Sequence, residues 1–93
     1  MRRIERVGQY KRDYRRVKAT PDYKDVDGLL GRLIDLLARD ASLPENHHDH
    51  PLRGRWRGFR ECHVYPDLLL IYEKPDPQRL RLMRLASHSE LRF

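Results

Sequence analysis

The feature that most constrains this chain is a change of hydrophobic period near its middle. Val26, Leu29, Leu30, Leu33, Ile34 and Leu37 fall at i, i+3, i+4, i+7, i+8 and i+11, a stripe that a helix gathers on one face. From Trp56 onward the pattern changes. Trp56 to Tyr65 is rich in aromatic and β-favouring residues, and LLLIY at 68–72 is an apolar run typical of a strand buried on both faces. Pro66-Asp67 and Pro75-Asp76-Pro77 read as turns, and RLRLMRLAS at 79–87 as a last strand. The expected fold class is α+β: two consecutive helices packed on one face of an antiparallel sheet built mainly after residue 54.

The flanking segments fit this plan. RRIERV at 2–7 alternates weakly and suits a short first strand with Ile4 inward. Tyr10, Tyr14 and Val17 then fall at i, i+4 and i+7, leaving Lys11, Arg12, Arg15 and Arg16 on the outer side of a first helix. Thr20-Pro21-Asp22 is a break and restart, since proline is tolerated in a first helical turn. Gly28 and Gly31 each cost the second helix roughly 1 kcal/mol against alanine, which the leucine stripe outweighs. That helix is expected to finish between Asp40 and Leu43, before Pro44. PENHHDHPLR at 44–53 is polar and proline-flanked, a loop. No repeat, low-complexity tract or linker divides the 93 residues, so they make a single domain, 1–93.

Charge narrows the partners. With 37% charged residues and a net charge of +6, the surface suits a polyanion, most simply nucleic acid, or an acidic protein. The lone Cys62 excludes an internal disulfide and a Cys-based zinc site. No apolar run approaches the ~18–20 residues of a membrane span, and residues 1–20 lack the apolar centre of a signal peptide. A soluble cytoplasmic protein without membrane contact is expected.

Chemistry concentrates in residues 49–72, DHPLRGRWRGFRECHVYPDLLLIY, and at His88. Cleaving RNA through its own 2′-hydroxyl needs a base for that hydroxyl, an acid for the departing 5′-oxygen, and cations for the phosphate. Histidine serves either proton role near neutral pH, and arginine supplies a permanently charged fork. No metal or other cofactor is required. Each candidate also has a plainer explanation. His63 suits a half-buried strand position and Asp67 an ordinary turn, although that turn can also aim Asp67 at the imidazole. His47, His48 and His50 form a His-rich loop of the kind that sometimes binds zinc, but neighbouring ligands in one short loop rarely complete a tetrahedral site. His47 and His48 read as solvated. In an extended strand, Leu80, Leu82, Arg84, Ala86 and His88 share one face. Arg84 on such a stripe needs a partner, either an internal acid such as Glu61 or Asp67, or a bound phosphate. The basic residues of the first helix suit electrostatic capture of RNA, or simply a solvated face.

Several motifs together carry a resemblance across nearly the whole chain: DHPL, then G-x-W-x-G-x-R-E-x-H-V-x-P-D, then LLIY, then a terminal SHSEL before the last Phe. They resemble the YafQ branch of the RelE/ParE toxin superfamily, the toxin halves of type II toxin–antitoxin systems. The resemblance implies the compact RelE-like microbial ribonuclease fold and a ribosome-dependent mRNA endoribonuclease, or mRNA interferase, that inhibits translation by metal-independent acid–base chemistry. Carried over position by position, it makes His50, His63, Asp67 and His88 catalytic and assigns RNA contacts to Arg60, Glu61, Arg84 and Phe93. It implies a cognate RelB/DinJ-like antitoxin, the ribosome and mRNA as partners, and operator DNA only through the antitoxin complex. The chain departs from the pattern in three places. Leu68 stands where relatives often carry Trp, Arg92 shifts Phe93 by one position, and His47 and His48 are additional. Three other functions stay open: a same-fold toxin that poisons DNA gyrase, a non-catalytic RNA- or ribosome-binding module, and a zinc-binding interaction domain.

Overall fold

The computed structural model describes residues 1–91. In chain order the elements are β1 (Arg3–Arg6), α1 (Gly8–Lys18), α2 (Val26–Ala38), β2 (His50–Pro51), β3 (Arg60–Tyr65), β4 (Leu68–Glu73), β5 (Arg79–Ala86) and α3 (His88–Leu91). One five-stranded sheet has the order β1-β5-β4-β3-β2. β1 runs parallel to β5, while the other pairs are antiparallel. The α+β class holds, but the sheet is mixed. The first strand lies beside the last, and a parallel pair needs an intervening crossover, which α1 and α2 begin. No helix among the described residues is long and apolar enough to cross a membrane.

Side-chain period decides which face each element covers. Tyr10 and Val17 of α1 and Leu30, Leu33 and Leu37 of α2 are buried against Leu68, Leu70 and Tyr72 of β4 and Leu80, Leu82 and Leu85 of β5. Leu69 and Ile71 turn the other way and form a second core with Ala86 and Leu91, flanked by Trp56 and Phe59. LLLIY is continuously apolar because its alternate residues serve two cores. The second core lies beneath α3, where the sequence suggested more strand. SHSE at 87–90 is a capping box: Ser87 Oγ accepts from the Glu90 N–H at 3.2 Å and Glu90 Oε1 from the Ser87 N–H at 3.0 Å.

Two further boundaries differ from expectation for identifiable reasons. α2 stops at Ala38 because Asp40 adopts a left-handed φ of 58°. The Ala41 N–H then reaches Leu36 O and the Asp40 N–H reaches Leu37 O, a Schellman closure. β3 begins only at Arg60, since GRWRG at 54–58 turns the chain through Gly54 and Gly58 at φ 64° and 96°.

The expected single-faced stripe on β5 is broken. Ile71 pairs with Arg84 and Tyr72 with Leu82, so Met83 is an extra residue in a β-bulge. Leu80 and Leu82 stay in the helix-side core while Ala86 joins the second core. β1 pairs with β5 only as far as Leu82, and α1 completes the edge beyond it. Asp13, fully buried, accepts the Leu85 N–H at 3.0 Å, and Arg16 Nη2 reaches Leu85 O at 3.4 Å. Arg84 grips the same Asp13 carboxylate at 2.7 Å through Nε and 3.3 Å through Nη2. Burial pushes the Asp13 carboxyl up, but the bonds from Arg84, the Leu85 N–H and Gln9 outweigh it and hold the group below its ordinary value.

Candidate active site

Strand register assembles the site. His50 of β2 sits directly opposite Glu61 of β3, and His63, two residues further along β3, shares the face of Glu61. His63 aligns with Leu69 and Leu69 with Ala86, and from Ala86 the chain passes through the capping box to His88. Glu61 is buried, and its Oε1 lies 3.2 Å from His50 Nε2, 3.7 Å from His88 Nε2 and 3.9 Å from His63 Nε2. Its other oxygen, Oε2, is buried with no hydrogen-bond partner among the described residues. The His63 and His88 rings meet edge-on at 5.8 Å.

Backbone carbonyls set the protons on two of these rings. A carbonyl oxygen only accepts, so a ring nitrogen beside one carries the hydrogen. His50 Nδ1 donates to His48 O at 2.6 Å, and His63 Nδ1 to Pro66 O at 3.3 Å. Both rings therefore turn Nε2 toward Glu61. A bare Nε2 and a carboxylate oxygen 3.2 Å apart would face each other with lone pairs, so this contact is a hydrogen bond when a proton is shared between His50 and Glu61. The imidazoles are the partners that a buried carboxylate needs, and the arrangement can pass a proton between them.

The loop before β2 is built to aim His50. Asp49 accepts from the Tyr72 hydroxyl at 2.6 Å and pairs with Arg60 Nη2 at 3.4 Å, while Arg60 Nε reaches the same hydroxyl at 3.2 Å. His48 adopts a left-handed φ of 47°, which points its carbonyl at His50. His47 Nδ1 donates to His63 O at 2.7 Å, and the His48 ring lies 5.3 Å from that of His63. His47 and His48 are therefore not simply solvated, as the sequence suggested; they tie the loop to β3.

The remaining candidates fall elsewhere. Asp67 does not turn back to His63; it accepts from the Tyr23 hydroxyl at 3.0 Å, and burial, followed by that bond, lifts the tyrosine to about 12. Glu61, the expected RNA contact, is buried, with its Oε1 within 4 Å of the three imidazoles. Arg84's internal acid is Asp13, neither Glu61 nor Asp67, and Asp13 leaves its Nη1 unused. Arg60 is held by Asp49 and Tyr72. Phe93 lies outside the described residues. Cys62 is inert, its thiol lifted to about 12 chiefly by burial. Glu61, His63 and His88 also bring one donor atom each within 4.8 Å of one another, a set that suits a borderline cation such as Cu²⁺ or Zn²⁺.

The family model described as bacterial toxin of type II toxin–antitoxin system, YafQ, matches residues 2–93. The mRNA interferase toxin YafQ of Escherichia coli K12 is 39% identical over 90 residues, covering 97% of this chain and 95% of that protein. In the crystal structure of the E. coli DinJ–YafQ toxin–antitoxin complex, the matched chain superposes with a TM-score of 0.81 at 40% identity, covering 97% of this chain and 96% of that one. A copper-bound mutant toxin from Helicobacter pylori superposes with a TM-score of 0.86 at 33% identity, covering 98% and 99%. The chain belongs to the YafQ family of bacterial toxins of type II toxin–antitoxin systems.

Proposed function

We propose that this chain is the toxin of a type II toxin–antitoxin pair and cleaves mRNA on the ribosome by acid–base chemistry. The observation that carries the proposal is the buried Glu61 carboxylate surrounded by the Nε2 atoms of His50, His63 and His88. In the reaction, one imidazole lone pair removes the 2′-hydroxyl proton and the freed oxygen attacks the adjacent phosphorus. The P–O5′ bond breaks, an imidazolium delivers its proton to O5′, and a 2′,3′-cyclic phosphate is left. Glu61 keeps a proton within the cluster and stabilises whichever ring is charged. Arg84, pre-positioned by Asp13, offers its unused Nη1 to the phosphate. Asp67 and Arg60 act from the rim, through the β3–β4 turn and the Asp49 loop.

A cation held by Glu61, His63 and His88 would occupy the lone pairs that the proton transfers use. Chelator-treated toxin is therefore expected to cleave ribosome-bound mRNA at its full rate, and stoichiometric Cu²⁺ to inhibit it. Ribosomal magnesium must be kept intact in that assay. Cleavage lost with chelator and restored by a transition metal would refute the mechanism.

The +6 surface and the phosphate-binding site suit an antitoxin segment that is acidic and amphipathic, its carboxylates standing in for RNA. Operator DNA would then be reached only through that antitoxin, and the pair would work in the cytoplasm beside ribosomes. Co-purification with the product of the adjoining gene tests this. The polar share of binding should weaken with salt while apolar anchors persist. A strongly basic partner would contradict it.

A further inference from the structure

A cavity of about 410 Å³ opens beside the histidine cluster, walled by Asn46, His48, His63, Tyr65 and Pro66 among others. The His63 ring is the partition. Its Nε2 edge faces Glu61 in the cluster, and its Nδ1 edge turns to Pro66 on the cavity side. We propose that this cavity seats the nucleobase next to the scissile phosphate. The proposal rests on the RNA-cleavage function above and names the subsite that selects the base.

The walls suit a flat heterocycle and are fixed before it arrives. The Tyr65 ring packs on Tyr23 at 5.1 Å, and its hydroxyl accepts the Asp25 N–H at 3.2 Å, so it is held from behind. The exposed His48 ring stands edge-on over His63 at 5.3 Å, fixed by the left-handed backbone that aims its carbonyl at His50. The His47 tether to His63 O keeps the loop against β3. Aromatic walls bind any base by its π face. The exposed Asn46 carboxamide, with one acceptor and two donors, can read the base edge. A phosphate at the His50–Glu61–His88 side and a base at the Tyr65 side would lie one imidazole apart, as neighbouring parts of one nucleotide do.

The test is a nuclear magnetic resonance titration of the antitoxin-free protein with inorganic phosphate, 3′-AMP, 3′-UMP and 5′-AMP. Phosphate alone should shift His50, His63, His88 and Arg84 and leave Asn46, His48 and Tyr65 unmoved. At least one nucleotide should also shift Asn46, His48 and Tyr65 and bind about 5–160-fold tighter than phosphate, the range that one base stacked on an aromatic ring supplies. Asn46→Ala should alter the ranking of the nucleotides, and His48→Asn, which tolerates a left-handed φ, should remove most of the advantage over phosphate. Nucleotides that bind no better than phosphate, or that leave the cavity residues unmoved, would overturn the subsite. The titration needs no ribosome. Base-dependent shifts in a protein that fails to cut ribosomal mRNA would refute the cleavage proposal and keep the subsite. Cutting without such shifts would refute the subsite alone.

Discussion

His63→Ala and His88→Ala are each expected to slow single-turnover cleavage of ribosome-bound mRNA by about 10²–10⁴-fold, the usual loss when a general acid or base is removed. Both rings are within 4 Å of the buried Glu61 oxygen, yet neither belongs to the apolar cores, so folding and ribosome binding should change little. Glu61→Gln separates charge from shape. It keeps the volume but removes the carboxylate beside the three imidazoles, and should change the shape of the pH–rate profile as well as lower its maximum. The apparent values in that profile belong to the cluster as a unit. Measurement on saturated ribosomes, with melting curves alongside, distinguishes lost chemistry from lost structure. A His88→Ala protein cutting at the wild-type rate would remove His88 from the reaction.

The largest stability effect is expected at Asp13. Asp13→Ala leaves the Arg84 guanidinium half-buried without its acid and the Leu85 N–H at an uncovered strand edge. Breaking a buried pair in this way costs roughly 3–5 kcal/mol, a large share of what a domain of this size possesses. Urea denaturation gives the figure directly. The pH dependence has a definite sign. The folded Asp13 carboxyl is held below its ordinary value, so its stabilisation is complete above the unfolded carboxyl's pKa of about 3.9 and fades as pH falls through the lower folded value. Wild-type protein should therefore lose part of its stability in that acid window, and Asp13→Asn should lack that component. Because Asp13 braces the bulged strand leading to His88, Asp13→Asn should also slow cleavage without moving its pH profile. A stability loss under about 1 kcal/mol for Asp13→Ala would show that the edge closure does not matter.

How much of this was legible in the sequence follows from which interactions are local. The leucine stripe of α2 and the alternation within β4 and β5 depend on a residue's own neighbours, so helices, strands and turns could be read within a few residues. β1 pairing with β5 joins chain segments more than seventy residues apart, and no periodicity encodes that. The bulge at Met83 likewise shifted the faces of Arg84 and Ala86 against simple alternation, and His88 lies beyond the strand, in α3. Asp13 did leave a trace. It lies between Tyr10 and Val17 on the apolar stripe of α1, where an acid implies a buried partner. At the site, the motifs supplied His50, Glu61, His63 and His88, and the structure brings these four together. The hub role of Glu61 could not be read, since it depends on the cross-strand register of His50. The loop work of His47 and His48 was equally hidden, because carbonyl direction rests on a single left-handed residue.

The central claim is that the imidazoles around Glu61 perform the cleavage. The measurement that tests it most directly is single-turnover cutting of mRNA on saturated ribosomes by the protein with His50, His63 and His88 all replaced by alanine, beside the wild type. The account predicts that wild-type protein leaves 2′,3′-cyclic phosphate ends and that the triple variant binds ribosomes but produces no cleavage above background. Cutting by the triple variant at the wild-type rate would contradict it and make the histidines bystanders. Ribosome binding without cutting by the wild type itself would leave a non-catalytic binding module in its place.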